Sequence, residues 1–96
     1  MAEVRVIARA VAREGKANEL KELLRGLVKP TRTENGCKFY ELYESSLPGL
    51  FYFNELWQSQ AHLDAHLASS HFTTITGKAK ELVQGPLEVN FLQGIE

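Results

Sequence analysis

Glu3-Val4-Arg5-Val6-Ile7-Ala8-Arg9-Ala10-Val11-Ala12-Arg13 alternates at nearly every step. Val4, Val6, Ala8, Ala10 and Ala12 take one side; Glu3, Arg5, Ile7, Arg9, Val11 and Arg13 take the other. A period of two is the signature of a β-strand. The first side is small and apolar, as suits a surface lying beneath helices. The second mixes Ile7 and Val11 with arginines, so it is neither a plain solvent face nor a plain core. Glu14-Gly15 ends the run and the period changes. Leu20, Leu23, Leu24, Leu27 and Val28 then recur at helical spacing, with Lys16, Glu19, Lys21, Glu22 and Arg25 largely opposite. Pro30 has no N–H to give a helix interior, so a kink or break is expected just before it. The polar stretch Thr31 to Asn35 continues as a last turn, and Gly36 suits the stop.

Two aromatic runs follow, Cys37 to Ser45 and Leu50 to Trp57, joined by Ser46-Leu47-Pro48-Gly49. Such runs across a short Pro-Gly loop predict an antiparallel hairpin. Ser59 is placed to cap a helix through Leu63 and Leu67. A break at Ser69-Ser70 leads to a second helical piece, roughly 71 to 83, before Gly85-Pro86. Leu87, Val89, Phe91 and Gln93-Gly94-Ile95 supply a last strand. The order strand, helix, strand, strand, split helix, strand predicts an α+β fold of ferredoxin-like βαββαβ order. It is a sandwich of a four-stranded antiparallel sheet with helices on one face. The other sheet face then carries Ile7 and Val11 with either Tyr52 and Leu56 or Phe51 and Phe53. That is apolar surface a monomer does not leave bare, and a homodimer of facing sheets is expected.

Ninety-six residues make one domain, 1–96, with a modest core that pairing with a second copy would help. Hydrophobic content of 44% and charged content of 24% fit a globular chain, and a net charge of -1 offers no nucleic-acid or membrane partner. The single cysteine, Cys37, excludes an internal disulfide. No apolar run approaches the roughly 18 residues of a membrane span. The opening residues lack the pattern of a signal peptide, so the expected compartment is cytoplasmic.

The densest chemistry lies in Phe53-Asn54-Glu55-Leu56-Trp57 and in His62, His66 and His71. On a strand, Phe51, Phe53, Glu55 and Trp57 share one face and Tyr52, Asn54 and Leu56 the other. Trp57 is either a core ring closing the sheet end or the wall of an aromatic pocket. Glu55 beside aromatics is either a base of raised pKa or half of an ion pair with an arginine. His62 and His66 stand one helical turn apart, but no His-Glu-x-x-His pattern is present, and a third ligand would have to come from His71 or Asp64. No metal site is expected. His66 and His71 bracket the helix break, where side chains either cap the helices or turn into a cavity as proton carriers, with His71 the preferred base. Cys37 reads as a small buried residue, and no glycine-rich loop supports nucleotide or flavin binding.

Gly36-Cys37 with Tyr40 and Leu42, then Phe53-Asn54-Glu55-Leu56-Trp57, Ala61-His62-Leu63-Asp64-Ala65-His66 and His71-Phe72, resembles the antibiotic biosynthesis monooxygenase family over nearly the whole chain. The likeness is nearest to its quinol monooxygenase and autoinducer-2 processing branches. The resemblance implies a dimeric α+β barrel-type assembly. It also implies oxidation of a small phenolic or quinol-type compound by O₂ with no metal, haem or flavin cofactor. On that reading His71, His66 or Glu55 takes the substrate proton, Trp57, Phe53 and Phe72 enclose the ring, and Asn54, Tyr40 or Tyr43 orient its oxygens. The polyketide-tailoring members place an Asn four residues before the Trp. Asn54 stands three before Trp57, on the opposite strand face. Two other functions stay open: isomerisation or related processing of a small carbonyl signal molecule, and non-enzymatic ligand binding by the dimer.

Overall fold

The computed structural model describes residues 3–95. Its elements are β1 (Val4–Val11), α1 (Ala17–Arg25), α2 (Val28–Arg32), β2 (Cys37–Glu44), β3 (Leu50–Trp57), α3 (Gln60–Leu67), α4 (Ser70–Ala79) and β4 (Glu88–Leu92). The four strands form one antiparallel sheet in the order β2-β3-β1-β4, with the helices against one face. This is the expected ferredoxin-like α+β fold. No described helix is long and apolar enough to cross a membrane.

The alternation in β1 decides which face is buried. Val6, Ala8 and Ala10 lie under the helices and pack with Leu20, Leu24 and Leu27. The alanines stand opposite the large rings of β3, Ala8 beside Phe53 and Ala10 beside Phe51. Small against large lets α1 lie close to the sheet without leaving a void. The first helix breaks at Gly26-Leu27, and Pro30 sits in the first turns of the short helix that follows. There its missing N–H costs nothing. α4 ends at Ala79, four residues short of the expected end.

Two details of the hairpin position the site. Ser45 N–H bonds the Leu50 carbonyl at 2.8 Å across a turn whose Gly49 has φ +80°. At the other end Cys37 pairs with Trp57 but Tyr40 pairs with Glu55, so three steps along β2 match two along β3. This bulge shifts the phase of the strand. From Phe39 to Glu44 the register set by the turn is unbroken, so Tyr40 stands opposite Glu55 and faces the helices, while Tyr43 pairs with Tyr52 on the other side.

That other face carries Ile7, Val11, Tyr52 and Leu56, which resolves the alternative left open by the sequence. Its charges are tied within the face: Arg5 donates to Asn54 Oδ1 at 2.8 Å, and Arg9 pairs with Glu88 at 2.9 Å.

Candidate active site

α3 and α4 both begin at a serine. Ser59 Oγ accepts the His62 N–H, and Ser69 Oγ accepts the Phe72 N–H, each at 3.3 Å. The caps satisfy backbone donors that the first turns cannot, and they hold a tight corner at 68–70 between the helices. Ser69 Oγ also donates to the His66 carbonyl at 2.7 Å. The corner sends His66 inward, where 1% of its side chain is exposed, and leaves His71 25% exposed.

A third element meets them. The chain leaves α2 through Glu34 and Gly36, whose φ is +82°. Gly36 O accepts the Gln58 N–H at 2.8 Å, which ties the start of β2 to the end of β3. A Cβ on Gly36 would fall 2.3 Å from the His62 ring, so only glycine allows this approach. Glu34 is thereby held over the helix corner. Its Oε2 lies 2.8 Å from His66 Nδ1 and 2.6 Å from His71 Nε2.

The hydrogen positions follow from the partners. A carboxylate only accepts, so His66 Nδ1 carries a proton and its Nε2 keeps the lone pair in the neutral ring. The one hydrogen of Ser69 Oγ is committed to the His66 carbonyl, so His71 Nε2, 3.3 Å from that oxygen, donates as well. Burial lowers the pKa of His66, and the hydrogen bond to Glu34 opposes that shift. His66 is packed by rings on several sides, with centroid distances of 4.7 Å to Trp57, 4.9 Å to Phe72 and 5.6 Å to Tyr40.

Between these helices and the sheet lies a small, partly enclosed, mostly apolar cavity of about 30 Å³. Tyr40, Phe53, Leu63 and Phe72 line it together with Glu55 and His66, and β4 contributes Val89 and Phe91. Glu55 is 5% exposed, and its hydrogen-bond partner is the Trp57 indole N–H at 2.9 Å, not an arginine. Burial pushes its pKa up to about 7, partly offset by that bond. A carboxyl poised there exchanges protons near neutral pH. Burial likewise drives the Tyr40 phenol well above the usual tyrosine range, so it serves as a hydrogen-bonding group and not as a base.

Of the residues proposed from the sequence, Glu55, His66, Phe53, Phe72 and Tyr40 line one cavity, and Trp57 packs directly behind two of them. Tyr43 and Asn54 do not belong to it. Strand alternation puts both on the outer sheet face, where Tyr43 is 47% exposed and donates to Glu41, and Asn54 accepts from Arg5. The two histidines are placed differently. His71 is not among the cavity-lining residues and touches the site through Glu34. His62 does not pair with His66; its Nδ1 lies 2.7 Å from Ser59 Oγ. Glu34 was missed altogether, because a lone acidic residue in a polar stretch carries no periodic signal.

The profile of the family described as antibiotic biosynthesis monooxygenase matches residues 3–78. Rv0793 of Mycobacterium tuberculosis, whose own assignment as a monooxygenase is provisional, is 36% identical over 97% of this chain and 92% of its own length. Its solved structure superposes with a TM-score of 0.92, covering 99% of this chain and 97% of that one. PA3566 of Pseudomonas aeruginosa gives a TM-score of 0.92 at 31% identity, over 100% of this chain and 97% of its own.

Proposed function

The chain belongs to the antibiotic biosynthesis monooxygenase family, and from that premise we propose that it is a cofactor-independent monooxygenase acting on a small phenolic or quinol-type compound as a cytoplasmic homodimer. The observation that carries this reading is the cavity itself. An apolar, ring-walled space holds two proton-exchanging groups, Glu55 and His66, and little else that is polar.

In this reading the walls part to admit a flat aromatic substrate, which then lies against Phe53, Tyr40 and Phe72. His66 is the base. Its Nδ1 proton is held by Glu34, so Nε2 accepts the hydroxyl proton of the substrate, and the carboxylate stabilises the imidazolium that forms. The substrate anion is electron-rich and delivers its electrons to O₂. One oxygen atom enters the product, and the other leaves as water with the two hydrogens that the substrate loses. Glu55, protonated over part of the neutral range, donates to a substrate oxygen or returns a proton to the departing oxygen. The apolar walls keep bulk water from the reactive anion.

The dimer buries the outer face with Ile7, Val11, Tyr52 and Leu56. Arg9 is already paired with Glu88 and Arg5 hydrogen-bonded to Asn54 within the protomer, which lowers the cost of covering that face.

Oxygen uptake in the presence of a panel of quinols, after treatment with a chelator, tests the reading. Uptake that tracks substrate loss and survives the chelator supports it. Ligand binding with no oxygen uptake across the panel sinks it in favour of a non-catalytic binding dimer.

A further inference from the structure

We propose that Glu34, His66 and His71 form a binding site for one divalent transition-metal ion of the zinc class, and that the ion antagonises the reaction instead of serving it. Three separate elements bring these side chains together: the exit of α2, the end of α3 and the start of α4. One ligand atom from each lies within 4.8 Å of those of the other two. Two imidazoles and a carboxylate suit zinc-like ions, whereas calcium and magnesium prefer oxygen ligands throughout.

The adjustment needed is a matter of side-chain rotation and no backbone element has to be rebuilt. Metal–ligand bonds of about 2.0–2.1 Å in tetrahedral geometry place ligand atoms about 3.3 Å apart. Glu34 Oε2 now stands 2.8 Å from His66 Nδ1 and 2.6 Å from His71 Nε2, so the carboxylate draws back by roughly half an ångström, while the two imidazole nitrogens, within 4.8 Å of each other, close toward about 3.3 Å. Glu34 and His71 are 16% and 25% exposed, which gives an ion a way in from solvent, while His66 anchors the inner side. His62 takes no part, being held by Ser59 and packed over Gly36.

A ring binds a metal through a bare nitrogen, so coordination requires the hydrogen of each ring to sit on the nitrogen turned away from Glu34. In His66 that places the hydrogen on Nε2, the position that must be bare for the ring to act as base. Binding thus stands on the geometry of the three ligands alone, while the antagonism rests on the proposed role of His66.

The test titrates the chelator-treated full chain with Zn²⁺ by calorimetry and with Co²⁺ by visible absorption. The expected result is one equivalent bound, with the visible bands of a four-coordinate cobalt centre. Glu34→Gln and His71→Gln should each weaken it by more than about tenfold while His62→Gln leaves it unchanged. Zn²⁺ should lower turnover over the same concentration range, and chelator should restore it. Failure to bind one equivalent, or binding that both Glu34→Gln and His71→Gln leave intact, overturns the site. One equivalent bound through these residues with turnover untouched overturns the antagonism and counts against His66 as the base.

Discussion

Trp57 donates its indole N–H to the Glu55 carboxylate at 2.9 Å, two residues away along the same face of β3. The bond crosses no element boundary, yet it sets the chemistry of the cavity. It is the contact that restrains the rise in Glu55 pKa caused by burial. Replacing Trp57 by Phe keeps most of the packing and removes the donor, so the Glu55 pKa should climb further. The pH-rate limb governed by Glu55 should then move to higher pH. A profile of kcat/KM for Trp57→Phe that coincides with wild type would show that Glu55 does not govern that limb.

Linkage makes the same carboxyl visible in folding. Its folded pKa is about 7 against an ordinary value of 4.5, so the folded state holds the proton more tightly than the unfolded state. Stability from this group is therefore full below the ordinary carboxyl range and is lost as pH rises toward about 7, by at most roughly 3 kcal/mol. His66 acts with the opposite sign. Its folded pKa is depressed by burial, so its contribution is present above the ordinary histidine range and is lost as pH falls through it. Glu55→Gln should gain stability relative to wild type as pH rises from 5 to 8, measured by urea unfolding at each pH. A constant difference across that range would mean that the carboxyl is not buried in the folded state.

His66 and His71 should separate in kinetics. His66→Gln should lower kcat by roughly 10²–10⁴-fold and flatten the pH limb that it controls, as expected for loss of a general base. His71→Gln should act less severely, since it touches the base only through Glu34. Steady-state turnover on any oxidised quinol, with circular dichroism to check folding, decides the order. Equal losses would return His71 to the direct role that its place in the sequence suggested.

Tyr43→Phe removes a hydroxyl bonded to Glu41 on the far face of the sheet. Its kinetic constants should stay within about twofold of wild type, because no cavity contact is lost and surface changes of this kind are near neutral. A large fall in kcat would put the cavity on the wrong side of the sheet.

Replacing Val11 by Asp places a charge on the face with Ile7, Tyr52 and Leu56. Sedimentation should then show monomer where wild type shows dimer, since an unpaired charge is costly to bury. A persistent dimer would locate the interface elsewhere.

Gly36→Ala should destabilise strongly. The positive φ alone costs a side chain of order 1–3 kcal/mol, and the new Cβ also meets His62. Unfolding of Gly36→Ala and of Gly36→Ala with His62→Ala isolates the part due to the ring: the second change should relieve the ring contacts but leave the contact with the His62 Cβ and the backbone strain. No recovery would mean that the ring contributes nothing to the loss.

Much of the protein was legible in one dimension. The period of two in β1, the helical leucines after Gly15 and the aromatic hairpin each follow from local side-chain direction, and together they name the sheet and its helix layer, while the buried side of β3 stayed open until its register with β1 was seen. Glu55 and Trp57 were found because strand alternation alone places them on one face. Tyr40 and Tyr43 stand three apart and so take opposite faces, but which of them turns inward is set by the hairpin register, which pairs Tyr40 with Glu55 and Tyr43 with Tyr52.

The tertiary structure alone decided which histidine enters the cavity and which carboxylate joins the pair. Glu34 lies 32 and 37 positions from its two partners, in a segment with no periodic pattern. Its approach depends on Gly36 in a left-handed turn beneath His62, on the hydrogen bond from Gln58, and on two serine caps that set the corner between α3 and α4. Alternation and helical period report how one residue faces relative to its near neighbours. A meeting of three side chains within hydrogen-bonding reach is set by packing between elements, which a local pattern does not encode.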